Sequence, residues 1–415
     1  MTTYTRYGND FPYDYYMRGE GIPIYSAMGG VDDVTQLPRG GWARTGGKGT
    51  FIQLDGTFQS QRGLYVGEIL GGGAMNPEKH LYEEEIFILE GRGLTEVWQD
   101  DGKKLSFEWG EGSVFAIPRN VSHRLVNGSR DPAIFLAVTT APEVHNVFND
   151  LDFVYNSSQK FIDLYGNEEY FVASDVKTVE GKFNEVQWHT NFIPSALNAF
   201  VDNLEQKVAG GQLTGYRMGE RFPHGHISEW PGGRYHKAHY HGPGAVLLGL
   251  SGKGYVNLWP RELGMHPYKD GHGDQVITVE WGPKSIYSPP DGYFHQHLNT
   301  SNESARHIAV YGGQIPLGVH RMGDEQFIGY IPLSEGGTLY RMRMKTQRYG
   351  GCLRSAAGRT VLNPRCLLSP TEANGLPATP VNNGLACGLC PGQANARTQR
   401  TEGLNARRPA WPLPW

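Results

Sequence analysis

Apolar positions along this chain cluster in short runs divided by turn residues, as in IFIL before Gly91 and AVLLGL before Gly252. Runs of that length, bounded by glycine and proline, predict strands joined by tight turns, so the expected fold class is all-β. One stretch departs from the pattern. In IPSALNAFVDNLEQKV the residues Leu197, Phe200, Val201 and Leu204 recur at helical spacing and Ser195 stands where an N-cap would, which predicts a connecting helix.

The strand pattern occurs twice. NPEKHLYEEEIFILEGRGLTEVW is followed by WGEGSVFAIPRNVSHRLVNGS, and YHKAHYHGPGAVLLGLSGKGYVNLW by WGPKSIYSPPDGYFHQHLNTS. In each copy a polar cluster enters an apolar strand that ends at Gly-x-Gly, and after an interval come Trp-Gly, proline, a turn residue, histidine and asparagine. The first copy supplies Pro118, Asn120, His123 and Asn127; the second supplies Pro290, Gly292, His295 and Asn299. Copies separated by about one domain length mark a duplicated domain.

Alternate side chains of a strand share a face, so His239 and His241 project together while Tyr240 projects away. If a rolled sheet brings His295 to the same interior, three imidazoles meet on one side of a metal ion and leave positions open for other ligands. In the first copy Glu78, His80 and Glu84 share parity, and His123 completes a set of two imidazoles and up to two carboxylates, suited to a harder ion such as Mn or Fe. The competing reading of EKHLYEEE is a solvated barrel rim with Glu83 and Glu85 facing outward.

These spacings resemble the two motifs of the cupin superfamily. The second copy matches at His239, His241, Gly252, Gly282, Pro290, Gly292, His295 and Asn299, with Ala245 at the glutamate position. The first matches at His80, Glu84, Gly91, Gly112, Pro118, His123 and Asn127, with Glu78 at the first histidine position and Asn120 at the turn glycine. The resemblance, over about 46–345, implies two tandem cupin (double-stranded β-helix, jelly-roll) barrels: a first cupin domain over 46–145 and a second over 206–345, with an N-terminal arm over 1–45 before them and a linker with a helix over 146–205 between them. The composition of 346–415, without Lys or His and with little apolar periodicity, reads as a disordered tail.

Without a carboxylate at Ala245, a divalent ion held by the second copy keeps its full charge and favours a small anionic chelating substrate, an aromatic or enolic acid. Three-histidine sites of this kind resemble non-haem Fe(II) dioxygenases of the gentisate, salicylate and diketone-cleaving types, which implies Fe(II) as cofactor, with Mn, Ni, Zn or Cu as alternatives, and C–C cleavage with O2. Those gentisate-type proteins keep iron in the first barrel, a departure from the placement read here. The alternatives are a Mn- or Fe-dependent lyase, decarboxylase or isomerase centred on the glutamate-bearing first copy, and a non-catalytic small-molecule-binding bicupin.

Among the remaining candidates, His297 shares parity with His295 and rivals it as ligand, but His295 is the residue in register with the Pro-x-Gly turn. Tyr235, Tyr293 and Arg119 are pocket candidates, Arg119 as a clamp for a substrate carboxylate. His236, of opposite parity to His239, reads as a surface or interface residue, and His224 and His226, beside Pro223 and Gly225, read as loop residues.

Composition changes this picture little. The 38 basic and 42 acidic residues of the 415 leave a net charge of -4, which argues against nucleic acid or an anionic membrane as partner. No apolar run is long enough to span a bilayer, and a cytoplasmic protein is expected. The four cysteines, Cys352, Cys366, Cys387 and Cys390, all lie in the tail, so no disulfide staples the body. The Cys387–Cys390 spacing is that of half a zinc site, but the other two are too far apart to complete it. The N-terminal arm is expected to cross to the other cupin or to a partner subunit, and open sheet edges suggest a homodimer.

Overall fold

The computed structural model describes residues 11–55, 62–99, 103–161, 168–173, 177–178, 186–203, 208–218, 224–240, 245–290 and 292–311. His241, the four cysteines and the tail from 346 therefore lie outside the described residues.

Each copy of the repeat builds one barrel from two antiparallel sheets. In the first, the strands Gly63–Ile69, Ala133–Thr139, Glu84–Glu90 and Val114–Ile117 lie side by side, opposed by Ser122–Asn127, Arg92–Trp98 and Lys104–Gly110. In the second, His224–Trp230, Ala305–Tyr311, Ala245–Ser251 and Ile286–Tyr287 take the same order, opposed by Phe294–Asn299, Gly254–Trp259 and Ile277–Trp281. The register repeats residue for residue: Phe87 opposes Val114 as Leu248 opposes Ile286, and the isolated bridge Glu78–His123 recurs as His239–His295. At the turn before that bridge, Asn120 has φ 56° and Gly292 φ 72°. The substitution keeps the left-handed conformation because asparagine tolerates it better than other side chains.

The repeat extends into the arm. The strand Ile24–Met28 runs parallel to Lys48–Asp55 as Val186–His189 runs parallel to Gln212–Arg217. The next short strands then exchange barrels. Gly30–Val31 pairs with Ile286–Tyr287 of the second barrel, and Phe192–Ile193 pairs with Val114–Ile117 of the first. The arm thus crosses to the other barrel.

Parity within each strand explains why these segments read as unbroken apolar runs. Ile86 and Ile88 fill the first barrel, while Phe87 and Leu89 belong to a core that also takes in Val246, Leu248, Ile227, Ile308 and Val310 of the second. Both faces of the strand are buried, one inside its barrel and one between the barrels. This corrects the expectation for Glu85. It is fully buried on the inter-barrel face, and its outward side meets protein instead of water. Burial pushes its carboxyl up to about 8, offset in part by Tyr216 and Arg62. The Tyr216 hydroxyl donates to the Ala309 carbonyl at 3.2 Å.

Two further expectations are corrected. The helix expected in 193–208 does not form over the described part of that stretch, which is turn followed by the strand Asp202–Asn203. Tertiary partners claim the backbone groups a helix needs, since Ala196 N donates to Gly112 O at 2.7 Å and Arg306 Nη1 donates to the carbonyls of Ala196 and Ala199 at 3.1 and 2.8 Å. The α-helices among the described residues are Pro12–Gly19, Ala141–Phe148 and Leu151–Asn156. His224 and His226 stand in a strand, not a loop. Gly225 is there for close packing: a Cβ would lie 1.8 Å from the Ala309 carbonyl oxygen.

Candidate metal centre

In the first barrel His80, Glu84 and His123 are buried, and one ligand atom of each lies within 4.8 Å of the others. Glu84 opens an inner strand, His123 stands on the facing strand Ser122–Asn127, and His80 precedes Glu84 by one bend of chain. Backbone carbonyls fix both imidazoles: His80 Nδ1 lies 2.9 Å from Tyr82 O, and His123 Nδ1 lies 3.1 Å from Val121 O. A carbonyl only accepts, so each Nδ1 carries the proton and each Nε2 keeps its lone pair. Those two Nε2 atoms are buried and make no hydrogen bond. Glu84 Oε2 faces them at 3.4 and 3.7 Å, and its Oε1 accepts a hydrogen bond from Tyr65. A divalent cation fits this donor set, and imidazole lone pairs left buried and unbonded would otherwise cost free energy.

Electrostatics agree with that assignment. Burial works to raise the Glu84 carboxyl, yet the neighbouring His80 and His123 rings and the Tyr65 hydroxyl hold it below the usual carboxylate range. His123 is pushed down, first by burial and then by His80, against the pull of Glu78 and Glu84. His123 is thereby held toward the neutral, ligating form.

Glu78 stands beside this group with Oε1 3.9 Å from His123 Nε2. Its other oxygen accepts from Arg44, a residue of the N-terminal arm. An aromatic shell closes the site. Tyr82 stacks on His80 with ring centroids 3.7 Å apart, and Tyr16 of the first helix stacks on His145 of the second at 4.2 Å. Tyr155 lies within 3.3 Å of His145 Nε2.

The second barrel brings two of its three expected ligands together. His239 and His295 are buried with ring centroids 4.2 Å apart, and their Nδ1 atoms lie 2.9 and 3.2 Å from the carbonyls of Lys237 and Tyr293. This is the tautomer-fixing arrangement of the first barrel. Ala245 is buried at the glutamate position. His297 points deeper: its Nδ1 lies 3.0 Å from the Tyr287 hydroxyl, which also lies 2.7 Å from His307 Nδ1. One hydroxyl has one proton, so it donates to one ring and accepts from the other. His307 sits edge-on between Trp230 and Trp281, at centroid distances of 4.8 and 4.3 Å, and burial pushes it down to about 3.

His236 is corrected from surface to interior. It is buried, with its ring 4.5 Å from that of Trp230 and 5.3 Å from that of His297. The segment is bridged only at Tyr235 and His239, so strict strand alternation does not carry back from one to the other. Tyr235 pairs with Leu298, and Tyr293 packs on the second barrel's core while its carbonyl holds His295. The Arg119 guanidinium is committed to Glu83 at 3.3 Å and lies over the Phe161 ring at 4.8 Å.

Arg44, Tyr65 and Tyr287 were outside the sequence reading, because nothing local distinguishes them from core and surface residues. His307 did carry a signal, as a lone imidazole in the apolar strand ARHIAVY at the parity of Ala305 and Ala309.

Residues 65–139 match the family model described as "Cupin domain". No curated protein matches the chain in sequence. Solved structures to which it is similar include a serine-to-alanine variant of Bacillus subtilis oxalate decarboxylase, with TM-score 0.43, 13% identity, and coverage of 69% of this chain and 77% of that one. Another, a structure of the same enzyme concerned with its Mn(II) centres, has TM-score 0.43, 14% identity and the same coverages of 69% and 77%. No helix among the described residues is long and apolar enough to cross a membrane. The matched segment runs through the first barrel, and the second barrel repeats its strand order.

Proposed function

We propose that this bicupin is a metal-dependent enzyme of the lyase or decarboxylase type, with its working centre in the first barrel. His80, Glu84 and His123 would hold Mn(II) or Fe(II) there, and the substrate is a small anionic acid able to chelate the ion. The observation that carries this reading is the convergence of one carboxylate and two tautomerically fixed imidazoles within 4.8 Å. A carboxylate and two imidazoles suit the harder divalent ions. When bound, the metal supplies a Lewis acid that takes up the charge of substrate oxygens while a C–C bond breaks.

The chain's own residues do the rest. Tyr65 orients Glu84, the carbonyls of Tyr82 and Val121 orient the imidazoles, and Tyr16, Tyr82 and Tyr155 limit water at the centre. A buried site walled by aromatic rings favours a compact substrate.

A second reading, an Fe(II) dioxygenase acting on an aromatic or enolic acid, is favoured by the His239–His295 pair and the missing carboxylate at Ala245. Metal analysis of the purified chain, followed by parallel CO2-release and O2-uptake assays over a panel of small hydroxy, keto and aromatic acids, separates the two. Anaerobic turnover supports the first reading. Strict O2 consumption, lost in His295→Ala and retained in His123→Ala, refutes it in favour of the second, and bound metal with no turnover of any acid points to a binding protein.

A further inference from the structure

The first position of the ligand motif differs between the barrels: Glu78 opposes His123 where His239 opposes His295. A glutamate side chain is longer and more mobile than an imidazole, so a defined place at the centre requires something to hold it. Arg44 does so. Its Nη1 donates to Glu78 Oε2, which leaves Oε1 turned toward His123 Nε2 at 3.9 Å, close to the 3.7 Å that separates the same nitrogen from the ligand atom of Glu84. Arg44 is itself fixed from the arm. Its Nε donates to Glu20 at 2.9 Å, its Nη2 donates to the Tyr16 hydroxyl at 3.0 Å, and its guanidinium lies 5.0 Å from the rings of both Trp42 and Tyr155. Three sides of the guanidinium are used by groups outside the ligand motif, so the direction of its bond to Glu78 is set before Glu78 arrives.

We infer that Arg44 is a positioning residue that fixes Glu78 as the second carboxylate of the first barrel's metal centre, so that the N-terminal arm is part of the site. The inference rests on the metal reading above and adds the donor count to it: two imidazoles and two carboxylates. Two carboxylates neutralise a divalent ion, which selects Mn(II) or Fe(II) over softer ions. Glu78 stands just outside the closed group of His80, Glu84 and His123, and the hold of Arg44 determines whether it reaches the ion.

The test uses Mn(II) alone as probe on the full chain, with affinity by titration calorimetry and the EPR spectrum of the bound ion as readouts. Arg44→Ala and Glu78→Gln should each weaken Mn(II) binding about 10- to 100-fold, the range typical when a partner that orients a ligand is lost. Both should change the EPR spectrum in the same sense, and the double variant should be little worse than either single one. Arg44→Lys should recover part of the affinity, since an ammonium keeps the charge but lacks the fork that holds Glu20, Tyr16 and Glu78 together. It also serves as the informative variant if Arg44→Ala fails to fold. The inference is overturned if Glu78→Gln or a folded Arg44 variant binds Mn(II) with wild-type affinity and spectrum, or if the two losses add independently. A wild-type chain that binds no divalent ion refutes the metal centre itself, a separate outcome read before any variant is made.

Discussion

The two barrels share register and strand order, yet their interiors hold different chemistry. The first surrounds its histidines with carboxylates, a guanidinium and tyrosines; the second surrounds its own with imidazoles and indoles and has Ala245 where the first has Glu84. Position by position, the first barrel's Phe115 and Phe135 correspond in pairing to Tyr287 and His307. Duplication has kept the backbone and exchanged the inner face. In such a barrel the inner face decides which ion, if any, is held, and the ladder decides only where it would sit.

The largest expected effect breaks that comparison directly. His123→Ala should lower bound metal and turnover by about 100-fold or more, since a lost ligand should cost at least as much as a lost orienting partner. His295→Ala should leave the first barrel's metal content unchanged, as measured by metal analysis of both variants alongside wild type. Equal losses in both would mean that the barrels do not divide the chemistry as described.

A smaller effect lies between the barrels. Glu85 is raised to about 8 from a normal 4.5, so the folded chain keeps a proton that the unfolded chain releases between those values. Its contribution is full below pH 4.5 and is lost as the pH rises through about 8, which makes stability fall with pH in that window. Glu85→Gln should flatten the fall and raise the melting temperature at pH 8, by up to a few kcal/mol in free energy at about 1.4 kcal/mol per unit. Chemical denaturation at pH 5 and pH 8 reads the difference.

The smallest effect concerns the second barrel alone and has the opposite sign. His307 is lowered to about 3 from 6.5, so its contribution is full above pH 6.5 and is lost as the pH falls toward 3. His307→Phe, which copies the first barrel's Phe135, should remove that acid sensitivity at the cost of the bond to Tyr287, about 1 kcal/mol at neutral pH. Acid titration followed by tryptophan fluorescence reports it, because Trp230 and Trp281 flank the ring.

Much of this was legible in the residue order. The repeat, the all-β class, the turn at Asn120 and the candidate set Glu78, His80, Glu84 and His123 follow from spacing and parity. What escaped depends on neighbours distant in sequence. Glu85 reads as rim because parity places it outward, but parity cannot say that outward is another barrel. Gly225 reads as a loop marker, although a sheet strand needs it to admit the Ala309 carbonyl. The helical period around Leu197 and Phe200 is real in the sequence, but Arg306 takes its carbonyls. Arg44 gives no local signal, since its role is set by Glu20, Tyr16 and Glu78, which the fold assembles from three places.

The traded edge strands bear on how the gene could ever be divided. A cut between the repeats would leave Gly30–Val31 on one fragment with no sheet to join and deprive Val114–Ile117 of the strip that Phe192–Ile193 lays along it. Each fragment would then carry a bare rim and a dangling segment, a combination that favours re-pairing with a second molecule over solitary folding.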